Sequence, residues 1–264
     1  MTSVALAAAL GVIDLLVPAA APYHQQLIAS KCRALMFGYQ ARWAGDVWRP
    51  IALEAEVVAP IINPSTGRAS RTWRQAAKLD GVVTDEIRAV VLEHKTTSDE
   101  IDDPSCAYRR RLQIDSQLSA YLRYGKQLGV KLEGSLYDVI RKPNSRPKEI
   151  FKKDRQRIRQ EATYFGQRVS HEEVITLSDA PDAVESLALL EARLRATLVD
   201  EGQRYYQRWM VQRLQAELDE YAHELWAIAK NIHHDRRHDA RPRGPGRLDA
   251  SISPRWAARA ARVR

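Results

Sequence analysis

Two short apolar runs on either side of a polar turn constrain this sequence more than any other feature. Residues 81–83 and 89–92 are rich in β-branched side chains, and residues 84–86 between them are polar. Such runs, when bounded by turn residues, are typical of two strands joined as a hairpin. Residues 78–97 therefore predict two adjacent antiparallel strands, and the rest of the predicted fold is arranged around this hairpin.

Charged residues lie at the ends of these two strands. Asp80 opens the first strand, and Glu93, His94 and Lys95 close the second. Alternate residues of a strand share a face, so Glu93 and Lys95 point to one side and His94 to the other. Asp80 on the neighbouring strand would bring a second carboxylate to this side. The expected result is a cluster of two carboxylates and one ammonium group.

The segments around the hairpin predict an α/β domain. Strand-like runs at 51–62 and 71–83 flank a turn at 63–67, and a helical pattern at 108–129 precedes a further strand-like run at 134–140. Three consecutive antiparallel strands, a helix and a strand predict a mixed central sheet flanked by helices.

The predicted organisation has four parts. A helical N-terminal region at residues 1–49 precedes the α/β core at 50–180. Residues 181–232 predict one or two long helices that pack on the core. Residues 233–264 are rich in Arg and broken by Pro and Gly, so we expect a basic, disordered tail there.

The apolar N-terminus and the two cysteines bear on localisation. No basic residue precedes the first apolar run and Asp14 interrupts it, which disfavours an export signal. The run is also shorter than the roughly 20 apolar residues of a spanning helix, so we expect a buried or packing helix that ends near Pro18. Cys32 and Cys106 follow no metal-ligand spacing and are interpreted as reduced thiols. These features predict a cytoplasmic protein that does not associate with a membrane.

The charged cluster suits metal-assisted chemistry on a phosphate. Asp80 and Glu93 would form an oxygen-rich pocket of the kind that Mg²⁺ prefers, with the backbone carbonyl of His94 as a further candidate ligand. A metal held there could polarise a phosphate and acidify a bound water, while Lys95 orients that water or stabilises developing charge. Taken alone, the same residues would equally fit a turn aspartate beside a surface ion pair worth about 0–1 kcal/mol.

The spacing of these residues, with a helical motif that follows, resembles a known nuclease superfamily. Asp80, twelve intervening residues, Glu93-x-Lys95 and then Gln117-x-x-x-Tyr121 resemble the PD-(D/E)XK nucleases, specifically the RecB-like and lambda-exonuclease-like branch. The resemblance implies a restriction-endonuclease-like core in which Asp80 and Glu93 hold the metal and Lys95 is catalytic. It also implies that Gln117 and Tyr121 line the active-site cleft.

The resemblance spans about residues 50–145 and has implications for cofactors. It implies Mg²⁺ or Mn²⁺ as the metal and an upstream acidic residue as a further ligand. Glu54 is our candidate, although Glu56 has the same strand parity and remains an alternative. Some members of the branch hold an iron–sulfur cluster through C-terminal cysteines. The C-terminal half of this chain contains no Cys, so we expect no cluster.

The formal net charge of +8 over 264 residues favours a polyanionic partner, with nucleic acid as the first candidate. Basic groups near the predicted site could contact the DNA backbone without reading its sequence. They are Arg109, Arg110, Arg111, Arg141 and Lys142.

Together these features predict a metal-dependent DNA nuclease, an exonuclease that processes DNA ends in recombination or repair, as in phage-type systems. Two alternatives stay open at this point. The chain could be a DNA-binding module that has kept the nuclease fold without its activity, or an interaction protein whose C-terminal helices bind a partner. A helicase, a single-strand annealing protein and further copies of the chain are the protein partners that we consider.

Overall fold

The computed structural model describes residues 3–179 and 183–239, which form an α/β fold around a mixed sheet. In chain order, the strands of the described residues are β1 (Arg49–Ile62), β2 (Ala69–Thr84), β3 (Ala89–Thr97), β4 (Leu132–Arg141), β5 (Thr163–Tyr164), β6 (Gln167–Arg168) and β7 (Tyr206–Val211). The helices of the same ranges are α1 (Ser3–Leu16), α2 (Tyr23–Arg42), α3 (Ala107–Gln113), α4 (Ser116–Tyr124), α5 (Lys152–Glu161), α6 (His171–Asp179), α7 (Leu187–Asp200), α8 (Gly202–Tyr205) and α9 (Gln215–Asp239).

The central sheet has the strand order β1-β2-β3-β4-β7. β1, β2 and β3 form an antiparallel meander, β4 joins β3 in parallel, and β7 pairs antiparallel with β4. Helices flank the sheet, so the predicted α/β class with a mixed central sheet and a C-terminal helix is confirmed. The main core lies between the sheet, α4 and α9, and its buried members include Val57, Leu79, Val82, Val91, Leu118 and Tyr137.

Polar side chains form the two turns of the meander. In the first turn, Gly67 takes a φ of +70° and its N–H donates to the carbonyl of Asn63 at 2.8 Å. Glycine adopts such a backbone angle without a steric penalty. In the second turn, Asp85 Oδ1 accepts from the N–H of Arg88 at 2.9 Å. Each turn is therefore closed by hydrogen bonds of residues within the turn itself.

The predicted helix at 108–129 is two helices with a break between them. α3 ends at Gln113 and α4 begins at Ser116. Asp115 causes the break, because its side chain accepts from the N–H of Gln117 at 2.9 Å and caps the second helix. An aspartate that bonds the backbone in this way competes with a continuous helix.

The C-terminal region departs from the prediction. The expectation of helices alone across residues 181–232 is wrong, because β7 forms the edge strand of the central sheet next to β4. Pairing with β4 satisfies the backbone of β7 and buries Tyr206 and Trp209, so tertiary pairing overrides the helix predicted for this segment. α9 continues to Asp239, past the predicted start of the tail at 233, and residues 240–264 lie outside the described part of the chain.

The N-terminal segment was expected to form a buried or packing helix that ends near Pro18. α1 does end just before Pro18 and contacts α2, where Arg33 of α2 pairs with Asp14 at 3.1 Å. Val4 and Leu15 are largely exposed, so the packing helix is confirmed and the buried alternative is not. The contact with α2 covers only one side of α1. Within residues 3–179 and 183–239, no helix combines the length and apolarity needed to span a membrane.

A second, smaller core lies beside the main one. The two-residue strand β6 pairs with β5, and α6 follows it. Helices α5 and α6 and this hairpin enclose Ile150, Ile158, Tyr164, Val169 and Leu177.

Close packing of α2 against α7 and β7 makes Gly38 sensitive to substitution. A Cβ atom at residue 38 would lie 2.5 Å from Tyr206 Oη and 2.8 Å from Leu198 Cβ. We expect Gly38→Ala to lower the free energy of unfolding by about 1–3 kcal/mol, since a packed interior cannot accept the extra volume. Gly11→Ala is the control, because a Cβ there meets nothing within 4 Å and alanine favours the helix. Urea unfolding of both variants tests this, and a Gly38→Ala protein as stable as Gly11→Ala would contradict it.

Candidate active site

Asp80 lies where β2 and β3 separate. The two strands are paired as far as Gly81 and Leu92, and the ladder ends there. Beyond that point the N–H of His94 donates to Asp80 Oδ2 at 2.9 Å. The carboxylate of Asp80 thus takes up a backbone donor beyond the end of the ladder, which holds it beside the end of β3.

Glu93 and Lys95 share one face of β3, and α4 packs over that face. Lys95 Nζ donates to Glu93 Oε1 at 2.7 Å and to Gln117 Oε1 at 2.8 Å. The ammonium group therefore connects the strand to the helix. A charge held by two directed hydrogen bonds is far less mobile than a solvated lysine.

Gln117 and Tyr121 are one turn apart on α4 and continue this hydrogen-bonded chain. Gln117 Nε2 donates to the Tyr121 hydroxyl, which in turn donates to the backbone carbonyl of Lys78 on β2 at 3.1 Å. Burial, together with the nearby Glu93 charge, raises the pKa of Tyr121 to about 12, so its hydroxyl keeps its proton at neutral pH. The chain of bonds from Glu93 to Lys78 thus ties β3, α4 and β2 together.

Glu93 is the residue of this group whose charge is least well compensated. It is only 4% exposed, and its Oε2 atom is buried without a hydrogen-bond partner among the described residues. Burial raises the pKa of Glu93 above its ordinary range; Lys95 opposes this shift, while the charges of Asp80 and Asp115 add to it. A buried carboxylate oxygen without a partner is destabilising, and a bound cation would relieve that cost.

The donor set fits a hard divalent cation. Asp80 and Glu93 offer carboxylate oxygens, and Mg²⁺ is commonly held by one or two carboxylates together with waters and substrate phosphate. His94, whose carbonyl is the third predicted donor, follows Glu93 directly on β3. Within the described ranges, no three His, Cys, Asp or Glu side chains converge closely enough to form a complete protein-only site. Water and substrate would then supply the remaining ligands.

Asp115 is a third carboxylate near the cluster, and the sequence reasoning missed it. It caps α4, accepts from the Tyr137 hydroxyl at 3.3 Å and contributes to the raised pKa of Glu93. An Asp two residues before Gln117 is a usual signal for a helix start. The prediction of one helix from residue 108 placed Asp115 in a helix interior and hid that signal.

The structure separates the two candidates for the upstream ligand. In the register of β1 and β2, the neighbours of Glu54 pair with the neighbours of Asp80, Leu53 with Gly81 and Ala55 with Leu79, whereas Glu56 lies opposite Lys78. Glu54 has a φ of +51°, which breaks the strand alternation, so the parity that made the two residues equivalent does not apply. Its side chain is 64% exposed and pairs with Lys78 at 2.5 Å. Glu54 therefore lies near Asp80 in the sheet, while its carboxylate is paired with Lys78.

The predicted DNA-binding residues divide into two kinds. Three of them contact other parts of the chain: Arg109 lies over the Trp209 ring at 5.7 Å, Arg111 pairs with Asp99, and Arg141 pairs with Glu100 at 3.5 Å. Arg110 and Lys142 are exposed.

An open cleft of about 360 Å³ adjoins the cluster between β2, α4 and α9. Its polar lining consists of Gln75, Lys78, Ser116, Gln117, Tyr121 and Tyr221. Gln117, which accepts from Lys95, and Tyr121 thus both border this cleft.

The raised pKa of Glu93 predicts a stabilising substitution. A raised pKa means that the folded chain binds the proton more tightly than the unfolded chain, so the contribution of Glu93 to stability falls as pH rises. We expect Glu93→Gln to increase the free energy of unfolding at pH 7, on the order of 1 kcal/mol, and to change it little near pH 3, where the carboxyl is protonated in both states. Glu133→Gln, an exposed glutamate on β4, is the matched control. Urea unfolding at both pH values provides the measurement, and a Glu93→Gln protein less stable than the unsubstituted chain at pH 7 would refute it.

No protein family, curated protein or solved structure matches the chain.

Proposed function

We propose that this chain is a metal-dependent DNA nuclease that hydrolyses phosphodiester bonds at the cluster of Asp80, Glu93 and Lys95. The observation that carries the proposal is the buried Glu93 oxygen without a partner, next to Asp80 and beneath a fixed lysine. A buried carboxylate with a raised pKa beside a directed ammonium group is typical of catalytic sites. Because these residues meet the Gln117-x-x-x-Tyr121 helix in one cluster, we also propose membership of the PD-(D/E)XK superfamily.

Each side chain has a proposed role. Asp80 and Glu93 would hold Mg²⁺ or Mn²⁺, which when bound polarises the scissile phosphate and acidifies a water. Lys95 would direct its ammonium group to the attacking water or to the charge that develops on the phosphoryl oxygens. Gln117 accepts from Lys95, and Tyr121 fixes the Gln117 amide, so both act as positioning residues.

The proposed substrate is DNA. The net charge of +8 favours a polyanion, and the exposed Arg110 and Lys142 are available for phosphate contacts. We propose an exonuclease that processes DNA ends in the cytoplasm during recombination or repair, alongside a helicase or a single-strand annealing protein.

The proposal predicts metal-dependent degradation of linear DNA. We expect Asp80→Asn, Glu93→Gln and Lys95→Met each to reduce the rate at least about 100-fold, since each removes a charge used in the transition state. Glu133→Gln and Lys131→Met, which change exposed residues of the same types, should retain the activity. A time course on 5′-labelled, 3′-labelled and circular duplexes with Mg²⁺ or Mn²⁺ is the assay. An exonuclease leaves the circle intact, whereas full activity of Lys95→Met would overturn the assigned mechanism.

A second prediction separates Glu54 from Glu56. Because the residues on either side of Glu54 pair with those on either side of Asp80, we expect Glu54→Gln to raise the Mg²⁺ concentration needed for half-maximal activity by about tenfold. Glu56→Gln should leave this concentration within about twofold, since Glu56 lies opposite Lys78. Metal titrations of the two variants make the comparison. The reverse order of effects would assign the ligand role to Glu56.

A further inference from the structure

A strongly basic segment lies outside the candidate active site. Residues 146–168, which we call the basic module, contain eight basic and three acidic side chains. They comprise an extended segment, α5 and the β5–β6 hairpin, and they pack on the smaller core. The cations of this module are not used by the proposed cleavage chemistry.

An aromatic residue with an unfavourable backbone conformation forms the tip of the hairpin. Phe165 has a φ of +48° and is followed by Gly166 at +75°. Two consecutive positive φ values favour Asn, Asp or Gly at the first position, and a bulky side chain is rare there. Phe165 is nevertheless 47% exposed, so its ring is only partly used for packing. A strained residue with an exposed face is a reason to look for a function.

The surrounding contacts hold this ring in a fixed position. Tyr164 meets Phe165 edge to face, with ring centroids 4.8 Å apart. The Tyr164 hydroxyl donates to Glu185 Oε1 at 2.7 Å, and the N–H of Lys148 donates to Glu185 Oε2 at 3.2 Å. One buried carboxylate, itself paired with Arg193 at 2.6 Å, thus fixes both the hairpin and the segment that carries Lys148. The Phe165 ring is therefore positioned by contacts within the protein itself, without a ligand.

Cations lie next to exposed aromatic rings in this module. Lys148 Nζ is 5.9 Å from the centre of the Phe165 ring. Phe151, which is 60% exposed, directly precedes α5 and is followed by the exposed Lys152 and Lys153. Among the three acidic residues of the module, Glu149 and Asp154 lie along this segment and Glu161 pairs with Arg157 at 3.3 Å. Exposed rings and an excess of exposed cations therefore occur together in this module, and at Phe165 the two are in contact.

Such a combination matches the chemistry of a single nucleic-acid strand. Unpaired bases stack on aromatic rings while lysines contact the phosphates between them. In a duplex the bases are already stacked on each other, so an exposed ring has no base face to meet. A lipid surface or an acidic protein would be attracted by the cations but gives no reason for a strained aromatic residue at the tip.

We propose that the basic module binds single-stranded DNA, with Phe165 as a base-stacking platform and Lys148, Lys152 and Lys153 as phosphate contacts. The proposal deepens the proposed nuclease function, on which it rests, by naming an unpaired strand as part of the substrate. The binding itself requires neither Asp80 nor Glu93, so it can be measured without cleavage.

Fluorescence anisotropy of the full chain in EDTA, with a labelled oligothymidylate of about 15 nucleotides, tests this directly. We expect Phe165→Asn to weaken binding about tenfold or more through lost stacking, without lowering the melting temperature, because asparagine tolerates a positive φ. Phe165→Trp should retain binding. Ile87→Asn, at an exposed apolar residue in the β2–β3 turn, should bind like the unsubstituted chain.

The double variant Lys148→Gln, Lys152→Gln should bind the oligonucleotide with a weaker salt dependence, because fewer phosphates are neutralised. Unchanged binding by Phe165→Asn, or an equal loss in Ile87→Asn, would overturn the proposal. Binding to anionic lipid vesicles with the same dependence on Phe165 would also overturn it. A chain that binds the oligonucleotide but cleaves no DNA with any metal would refute only the nuclease function. Cleavage with Phe165-independent binding would refute only this inference.

Discussion

The double hydrogen bond of Lys95 is the interaction on which the candidate site depends. Its ammonium group joins Glu93 on β3 to Gln117 on α4, and Gln117 passes the connection through Tyr121 to the backbone of β2. Without the lysine, the buried Glu93 would lose its only cationic partner among the described residues. The same contacts fix the position of α4 over the sheet and define the edge of the cleft.

The opposite face of β3 is held by a second polar network. In the sheet register, His94 lies beside Asp138, and Asp138 lies beside Arg208 of β7. Asp138 is fully buried and accepts from Arg208 Nε at 3.0 Å and from the Tyr39 hydroxyl of α2. Asp138 and Tyr39 both raise the pKa of Arg208, against the effect of burial, so the guanidinium stays charged. β3 is thus positioned from both sides, which keeps Asp80, Glu93 and Lys95 in register.

The chain itself connects the sheet to the basic module. β4 carries Asp138 and runs directly into Arg141 and Lys142, after which the chain enters the module. The proposed nuclease would thus combine a carboxylate with an unpartnered oxygen in the sheet and an exposed aromatic residue in the basic module, so that it holds a polymer while acting on one bond.

The sequence by itself determined the elements whose signals are local. Strand alternation placed Glu93 and Lys95 on one face, turn residues marked the β1–β2–β3 meander, and helical spacing put Gln117 and Tyr121 on one side of α4. These patterns depend on neighbours a few residues away, so they can be read directly from the chain.

Only the tertiary structure decided the features that depend on distant residues. The burial of Glu93, the bond from His94 to Asp80 and the position of Asp115 arise where three separate elements meet. Residues 206–211 form the strand β7 because β4 offers an unpaired edge. This pairing overrode the helix that the sequence predicted for the segment. Glu54 differs from Glu56 because of one backbone angle within β1. Burial and long-range pairing determine these features, and neither can be predicted from the periodicity of a single segment.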